Sequence, residues 1–172
     1  MMEGSGGNDT NIYGKKITSL QCTGVGWSAT GSVLVASFGR HDLCGWCDIP
    51  GVLCAWNIFQ RRGFDPAKPE FVYEHSSCLM CVACHPTKPA IIAAGSFNGE
   101  VLVWDTAAEE PLIASTKIDD YFHREPIVKV AWVYDLREEE YQVSSVSGEG
   151  KVLWWSLKTG LKNPSKGFLL RQ

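Results

Sequence analysis

Several things are scarce in this sequence, and each scarcity removes a class of function. No apolar run approaches the roughly 18 residues of a membrane-spanning helix, and the start, MMEGSGGNDTN, has neither the basic opening nor the apolar stretch of a secretory signal. Basic clusters are missing too. The only adjacent basic pairs are Lys15-Lys16 and Arg61-Arg62, in a chain of formal net charge −3. Phosphate-backbone binding needs clustered cations, so a nucleic-acid partner is not expected, and the same argument counts against direct docking on a microtubule. No G-x-x-x-x-G-K loop cradles a nucleotide, and no 3.6-residue apolar period persists for three turns.

What the sequence does hold is short apolar runs between turn residues. They include Val33-Leu34-Val35-Ala36, Val52-Leu53-Cys54-Ala55-Trp56, Ala90-Ile91-Ile92-Ala93-Ala94, Val101-Leu102-Val103-Trp104, residues 127–133 and 141–146, and Val152-Leu153-Trp154-Trp155. Runs of this length, rich in β-branched and aromatic residues and bounded by Gly, Pro, Asn or Ser, are strands. Several are apolar on both faces, which implies sheets stacked in layers or around an axis. The chain reads as all-β. Residues 1–14, rich in Gly, Ser, Asn and Asp, read as a disordered lead-in. Seven Cys fit a reducing, cytoplasmic compartment, where the Asn8-Asp9-Thr10 sequon is a chance match.

Self-comparison is decisive. Residues 95–104 (GSFNGEVLVW) align without a gap to residues 146–155 (VSGEGKVLWW). Upstream, His75 and the segment to Cys84 align to His123 and the segment to Trp132. A weaker third copy runs from Val25-Gly26-Trp27-Ser28 to Leu53-Cys54-Ala55-Trp56, interrupted by an insertion over residues 40–51 that the other copies lack.

A repeat of 40 to 50 residues whose third strand ends Val103-Trp104-Asp105 resembles the WD repeat. The resemblance implies a β-propeller, with about three blades of a larger, seven-bladed ring: a divergent one over about 15–60, then about 71–110 and about 121–172. Three blades cannot close a ring, so the chain is read as a fragment or short form with exposed apolar faces. The family's hydrogen-bond network of His, Ser or Thr, turn acid and Trp carries over by position to His75, Ser96, Asn98 and Trp104 and to His123, Ser147, Glu149 and Trp155. Asn98 and Glu149 depart from the family's Asp, which implies a weaker or rearranged network. Within the superfamily, residues 93–106 (AAGSFNGEVLVWDT), 123–132 (HREPIVKVAW) and 148–155 (GEGKVLWW) resemble dynein intermediate chains, and most of all those of the intraflagellar-transport (cytoplasmic dynein-2) motor.

That resemblance implies a non-catalytic scaffold in the cilium and cytoskeleton, bound to the dynein heavy chain, with light chains bound through a region not in this chain and with no cofactor. A scaffold of another complex, including an axonemal dynein, is the alternative. A zinc-binding or thiol-redox domain is the second, raised by Cys44-x-x-Cys47 and Cys78-x-x-Cys81-x-x-Cys84-His85. Against it, thiols three apart on a strand face opposite ways. The acidic stretches Asp119-Asp120 and Glu138-Glu139-Glu140 read as solvated loops rather than catalytic groups. The insertion holds Arg40, His41, Leu43, Trp46 and Ile49, a mixture suited to a protein contact, and equally compatible with a long, partly ordered loop. Trp154, beside Trp155, is expected on the opposite face of its strand, against the next blade or in solvent.

Overall fold

The computed structural model describes residues 19–118 and 122–172. The Gly-rich lead-in, the sequon, Lys15-Lys16 and Asp119-Asp120 lie outside the described residues.

Among the described residues, twelve strands form three four-stranded antiparallel sheets. The first joins β1 (Gln21–Trp27), β2 (Val33–Gly39), β3 (Gly51–Asn57) and β4 (Phe71–His75). The second joins β5 (Leu79–Cys84), β6 (Ile91–Ser96), β7 (Val101–Asp105) and β8 (Leu112–Ser115). The third joins β9 (Ile127–Asp135), β10 (Glu140–Ser147), β11 (Lys151–Trp155) and β12 (Pro164–Leu169). A short 3-10 turn lies at Leu157–Thr159. Each sheet is a meander, and β5 packs between β1 and β9. Successive sheets therefore stack around a line of inner strands, as blades of a propeller do.

Sheet boundaries differ from the sequence repeat by one strand. Phe71–His75 pairs with β3, in register Gly51↔His75 to Ala55↔Phe71, so it completes the first blade rather than opening the second. The second blade likewise runs past residue 110 to β8. The offset is confined to β4 and β8: only three residues, 76–78, separate β4 from β5, whereas the third copy, about 121–172, coincides with β9 to β12.

Two cores lie between the blades. Val35, Leu53 and Ala55 of the first meet Leu79, Ile92, Ala94, Leu102 and Trp104 of the second. On the other side, Cys81, Ile91, Ala93, Val101 and Val103 meet Ile127, Val130, Val143, Leu153 and Trp155 of the third. This explains why β6 and most of β7 are apolar on both faces: every residue of β6 is buried, alternating between one neighbour and the other. Two equivalent hairpin turns, at Asn98-Gly99 and Glu149-Gly150, place their glycines at φ +87° and +82°, a left-handed backbone that other residues adopt at a cost. The outward face of the first blade leaves Val25 (61% exposed), Trp27 and Val72 in the open.

Candidate interaction site

In the third blade a His and a Trp of the expected polar network are joined, through a different serine from the one expected, and in the second blade they are not. In the third blade, Trp155 is wholly buried and its Nε1 donates to Ser145 Oγ at 2.8 Å. The same hydroxyl lies 2.8 Å from His123 Nε2, so one serine joins the ring of the inter-blade turn to the indole. Ser145, not Ser147, is the bridging residue. The strand pairing shifts register between Val146 and Ser147, and Ser147 Oγ donates instead to Glu149 Oε1 at 3.2 Å. Glu149 does not complete the network: its oxygen stands 3.9 Å from His123 Nδ1, which is buried without a partner. That carboxylate also accepts the Arg124 N–H at 3.1 Å and faces Lys151 Nζ at 3.5 Å. Burial pushes the His123 imidazole down to about 4, with Glu149 opposing and Lys151 assisting. His123 is neutral at pH 7.

In the second blade the position equivalent to Ser145 is Ala94, paired with Leu102 as Ser145 is with Leu153. The hydroxyl is gone, and Trp104, buried at 3% exposure, packs against Tyr73 with ring centroids 6.5 Å apart. His75 turns to a residue the repeat pattern does not include: its Nε2 lies 3.0 Å from Glu100 Oε1, which Ser96 Oγ also approaches at 3.4 Å. Asn98 joins neither. Its Oδ1 accepts the Cys47 N–H at 3.0 Å and its Nδ2 donates to the Cys47 carbonyl at 2.9 Å.

That pair of bonds defines the site. The insertion is a strap running from the first blade across to the second, with Cys47 buried at its centre against Cys78 and Phe97. Leu43 and Ile49 pack on the same cluster. Both ends are pressed on the linker between the blades. A Cβ added to Gly39 would lie 2.5 Å from the Leu79 carbonyl oxygen, and one on Gly51 2.5 Å from that of Ser77. Of the remaining candidate contact residues, Arg40 is tied to Asp42, with Nε donating to Oδ1 at 2.8 Å, and to the Ser19 carbonyl. His41 is exposed, and Trp46 is 65% exposed. The strap is thus anchored from beneath by Leu43, Cys47 and Ile49 and displays Trp46 and His41 above. Order in this loop could not be read from its composition, because the anchor is a side chain 51 residues further along the chain.

Trp154 is separate from the strap. It is half-buried under its own outer strand, 5.4 Å from the Phe168 ring and with Lys166 Nζ 5.3 Å from its centroid. Its indole N–H is buried without a partner.

The cysteines do not converge on a metal. Cys81 Sγ lies beside Gly95, on the side of the third blade, while Cys84 Sγ lies beside Gly26 of the first. Among the described residues no three His, Cys, Asp or Glu side chains gather to hold an ion. Nor do Cys84 and His85 form a dyad. His85 Nδ1 accepts the N–H groups of Thr87 and Lys88 at 3.1 and 3.0 Å, and its ring packs on Trp132 and Tyr141.

A family model described as the dynein axonemal intermediate chain 3 WD40 domain matches residues 52–146, across parts of all three blades. The chain belongs to the dynein intermediate chain WD40 family. It is 41% identical over 154 residues, 88% of its length, to the mouse cytoplasmic dynein 2 intermediate chain 2, and 38% identical over the same span to the human one. It covers 28% of each of those relatives. The ciliary dynein intermediate chain 3 of Heliocidaris crassispina is 31% identical over 94 residues, 55% of this chain. Among solved structures, a chain of the mitotic checkpoint complex superposes with a TM-score of 0.62 at 15% identity, covering 87% of this chain and 37% of that one. This last likeness is one of fold.

Among the described residues no helix is long and apolar enough to cross a membrane.

Proposed function

We propose that this chain forms some of the blades of a dynein-2 intermediate chain, a non-catalytic subunit that holds the dynein heavy chain in the motor that carries intraflagellar-transport cargo in cilia. The observation that carries the reading is the length of the likeness. Identity to cytoplasmic dynein 2 intermediate chain 2 extends over 154 residues, whereas the likeness to sea-urchin ciliary chains spans 94 or 95. No catalytic residue is assigned. The titratable groups between the blades are engaged in holding turns and strands, and rigid loops on a stacked-sheet scaffold suit a binding subunit.

Within this reading the strap is the contact element. An exposed Trp on a backbone fixed by buried anchors presents a large apolar surface at small entropic cost on binding. Trp154, already covered by Phe168 and Lys166, is the weaker contact candidate. Light-chain binding, nucleic-acid binding and membrane insertion are not assigned to these blades.

A second reading, an axonemal intermediate chain, is favoured by the description of the matching family model. The two are separated by tagging the chain in ciliated cells and identifying co-purifying heavy chains by mass spectrometry. Dynein-2 heavy chain in the eluate supports the first reading. Axonemal heavy chains alone support the second, and neither class of heavy chain counts against both.

A further inference from the structure

Under the strap lies a contact between two thiols that neither the blade architecture nor the scaffold role requires. Cys47, from the insertion of the first blade, and Cys78, from the linker into the second, are buried together with Phe97. The Cys78 N–H points at Cys47 Sγ from 3.4 Å, across 31 residues of sequence. An N–Cα bond is about 1.46 Å, so Cys47 Sγ lies within about 4.9 Å of the Cys78 Cα. A sulfur that close to the partner Cα is within reach of disulfide geometry after side-chain rotation. The other cysteines are not so placed. Cys22 and Cys44 are exposed, Cys54 lies in β3 opposite Ala36 and Val72, and Cys81 and Cys84 face opposite neighbours.

We propose that Cys47 and Cys78 are a peroxide-sensitive modification site, oxidised to a disulfide that staples the strap of the first blade to the linker entering the second. The chemistry balances with hydrogen peroxide as oxidant. When the strap lifts, the Cys47 thiolate attacks one peroxide oxygen and the O–O bond breaks. One oxygen remains on sulfur as a sulfenic acid and the other leaves as hydroxide, which takes up the thiol proton as water. On redocking, the Cys78 sulfur displaces the sulfenic hydroxyl, which leaves as a second water with the Cys78 proton. Two thiols lose two electrons, and the peroxide gains them.

While the strap is docked the pair is held reduced. Both thiols are buried, and burial together with the neighbouring Cys47 sulfur pushes the Cys78 thiol up to about 12, so Cys78 carries almost no thiolate at pH 7. Oxidation therefore reads strap opening and then abolishes it. The modification stands on geometry alone. Its consequence for partner binding, with Trp46 locked in its displayed position, rests on the strap being the contact element.

The test is to titrate the purified chain with hydrogen peroxide, block free thiols with N-ethylmaleimide, digest without reductant and map linked peptides. The expected product is a Cys47–Cys78 peptide that dithiothreitol returns to two free thiols and that Cys47→Ser removes. Asn98→Ala, which frees the strap without touching either thiol, should speed its formation several-fold. Finding only oxidised Cys22 or Cys44, a Cys44–Cys47 pair, or a rate that Asn98→Ala leaves unchanged would overturn the proposal. Loss of heavy-chain capture by the reduced, wild-type chain would count against the contact reading instead and leave the thiol result standing.

Discussion

Asn98 in the second blade holds the backbone of Cys47 in the first by both its amide atoms, Oδ1 accepting from N–H at 3.0 Å and Nδ2 donating to C=O at 2.9 Å. An amide carries an acceptor oxygen and a donor nitrogen side by side, which an ionised carboxylate does not. The Asp found at this turn in the wider family would keep the first bond and set a carboxylate oxygen against the Cys47 carbonyl. Asn98→Asp should therefore loosen the strap and cost about 1–3 kcal/mol, the range for a buried polar group left unpaired. Urea unfolding measures the loss, and hydrogen exchange should show faster amides at residues 44–49.

Among the described residues, Ser145 is the hydroxyl that meets both His123 and Trp155. Ser145→Ala strands the Trp155 indole N–H and removes the neighbour of His123 Nε2, each change worth about 1–3 kcal/mol. Ser147→Ala should cost less, because Glu149 keeps the Arg124 N–H and Lys151. Equal losses for the two variants would contradict the assignment of Ser145 as the bridge.

His123 gives the fold an acid-side weakness. Its imidazole is depressed from 6.5 to about 4 by burial, so below pH 6.5 the unfolded chain takes up a proton that the folded chain refuses. The contribution is fully present above pH 6.5 and is lost progressively as the pH falls towards 4. His123→Gln should flatten the pH dependence of the urea midpoint between pH 6.5 and 4, whatever it does to stability at pH 7. An unchanged slope would show that His123 is not the group responsible.

Blade spacing can be probed at Gly95. A Cβ there would fall 2.2 Å from Ile127 Cγ2 and 2.9 Å from Cys81 Sγ, so Gly95→Ala must push the second and third blades apart at an overpacking cost of about 1–3 kcal/mol. Gly148→Ala is the control, since its nearest new neighbour, Glu125 Cβ, is 3.6 Å away. Thermal unfolding of the two variants compares them directly.

Much of the fold is legible in the sequence because its signals are local. The runs at 91–94 and 101–104 are apolar on both faces for the same reason that they are strands between two other blades. The turns at Asn98-Gly99 and Glu149-Gly150 announce themselves by residue type. What escaped is non-local. Ser145 and Ser147 are both serines of one strand, and pairing decides between them: Val143 sits opposite Trp155, which puts Ser145 two residues from that position and Ser147 four. Glu100 lies outside the repeat pattern, yet it takes the bond to His75 that the pattern assigns elsewhere. The bond between Asn98 and Cys47 spans 51 residues, and composition alone makes the insertion look as much like a loose loop as an anchored one. The offset of blade and repeat at Phe71–His75 is likewise a fact of pairing, not of pattern.

The most direct test pairs two tagged chains, wild type and Trp46→Ala, expressed in ciliated cells, with dynein-2 heavy chain quantified in each eluate. Trp46 is exposed, so its loss should change stability by no more than about 0.5 kcal/mol, and equal melting temperatures would establish that both chains are folded. Heavy chain should co-purify with the wild type and fall roughly thirtyfold with Trp46→Ala, the effect of removing an anchor worth about 2 kcal/mol. Heavy chain absent from the wild-type eluate, or retained in full by Trp46→Ala, would contradict this expectation.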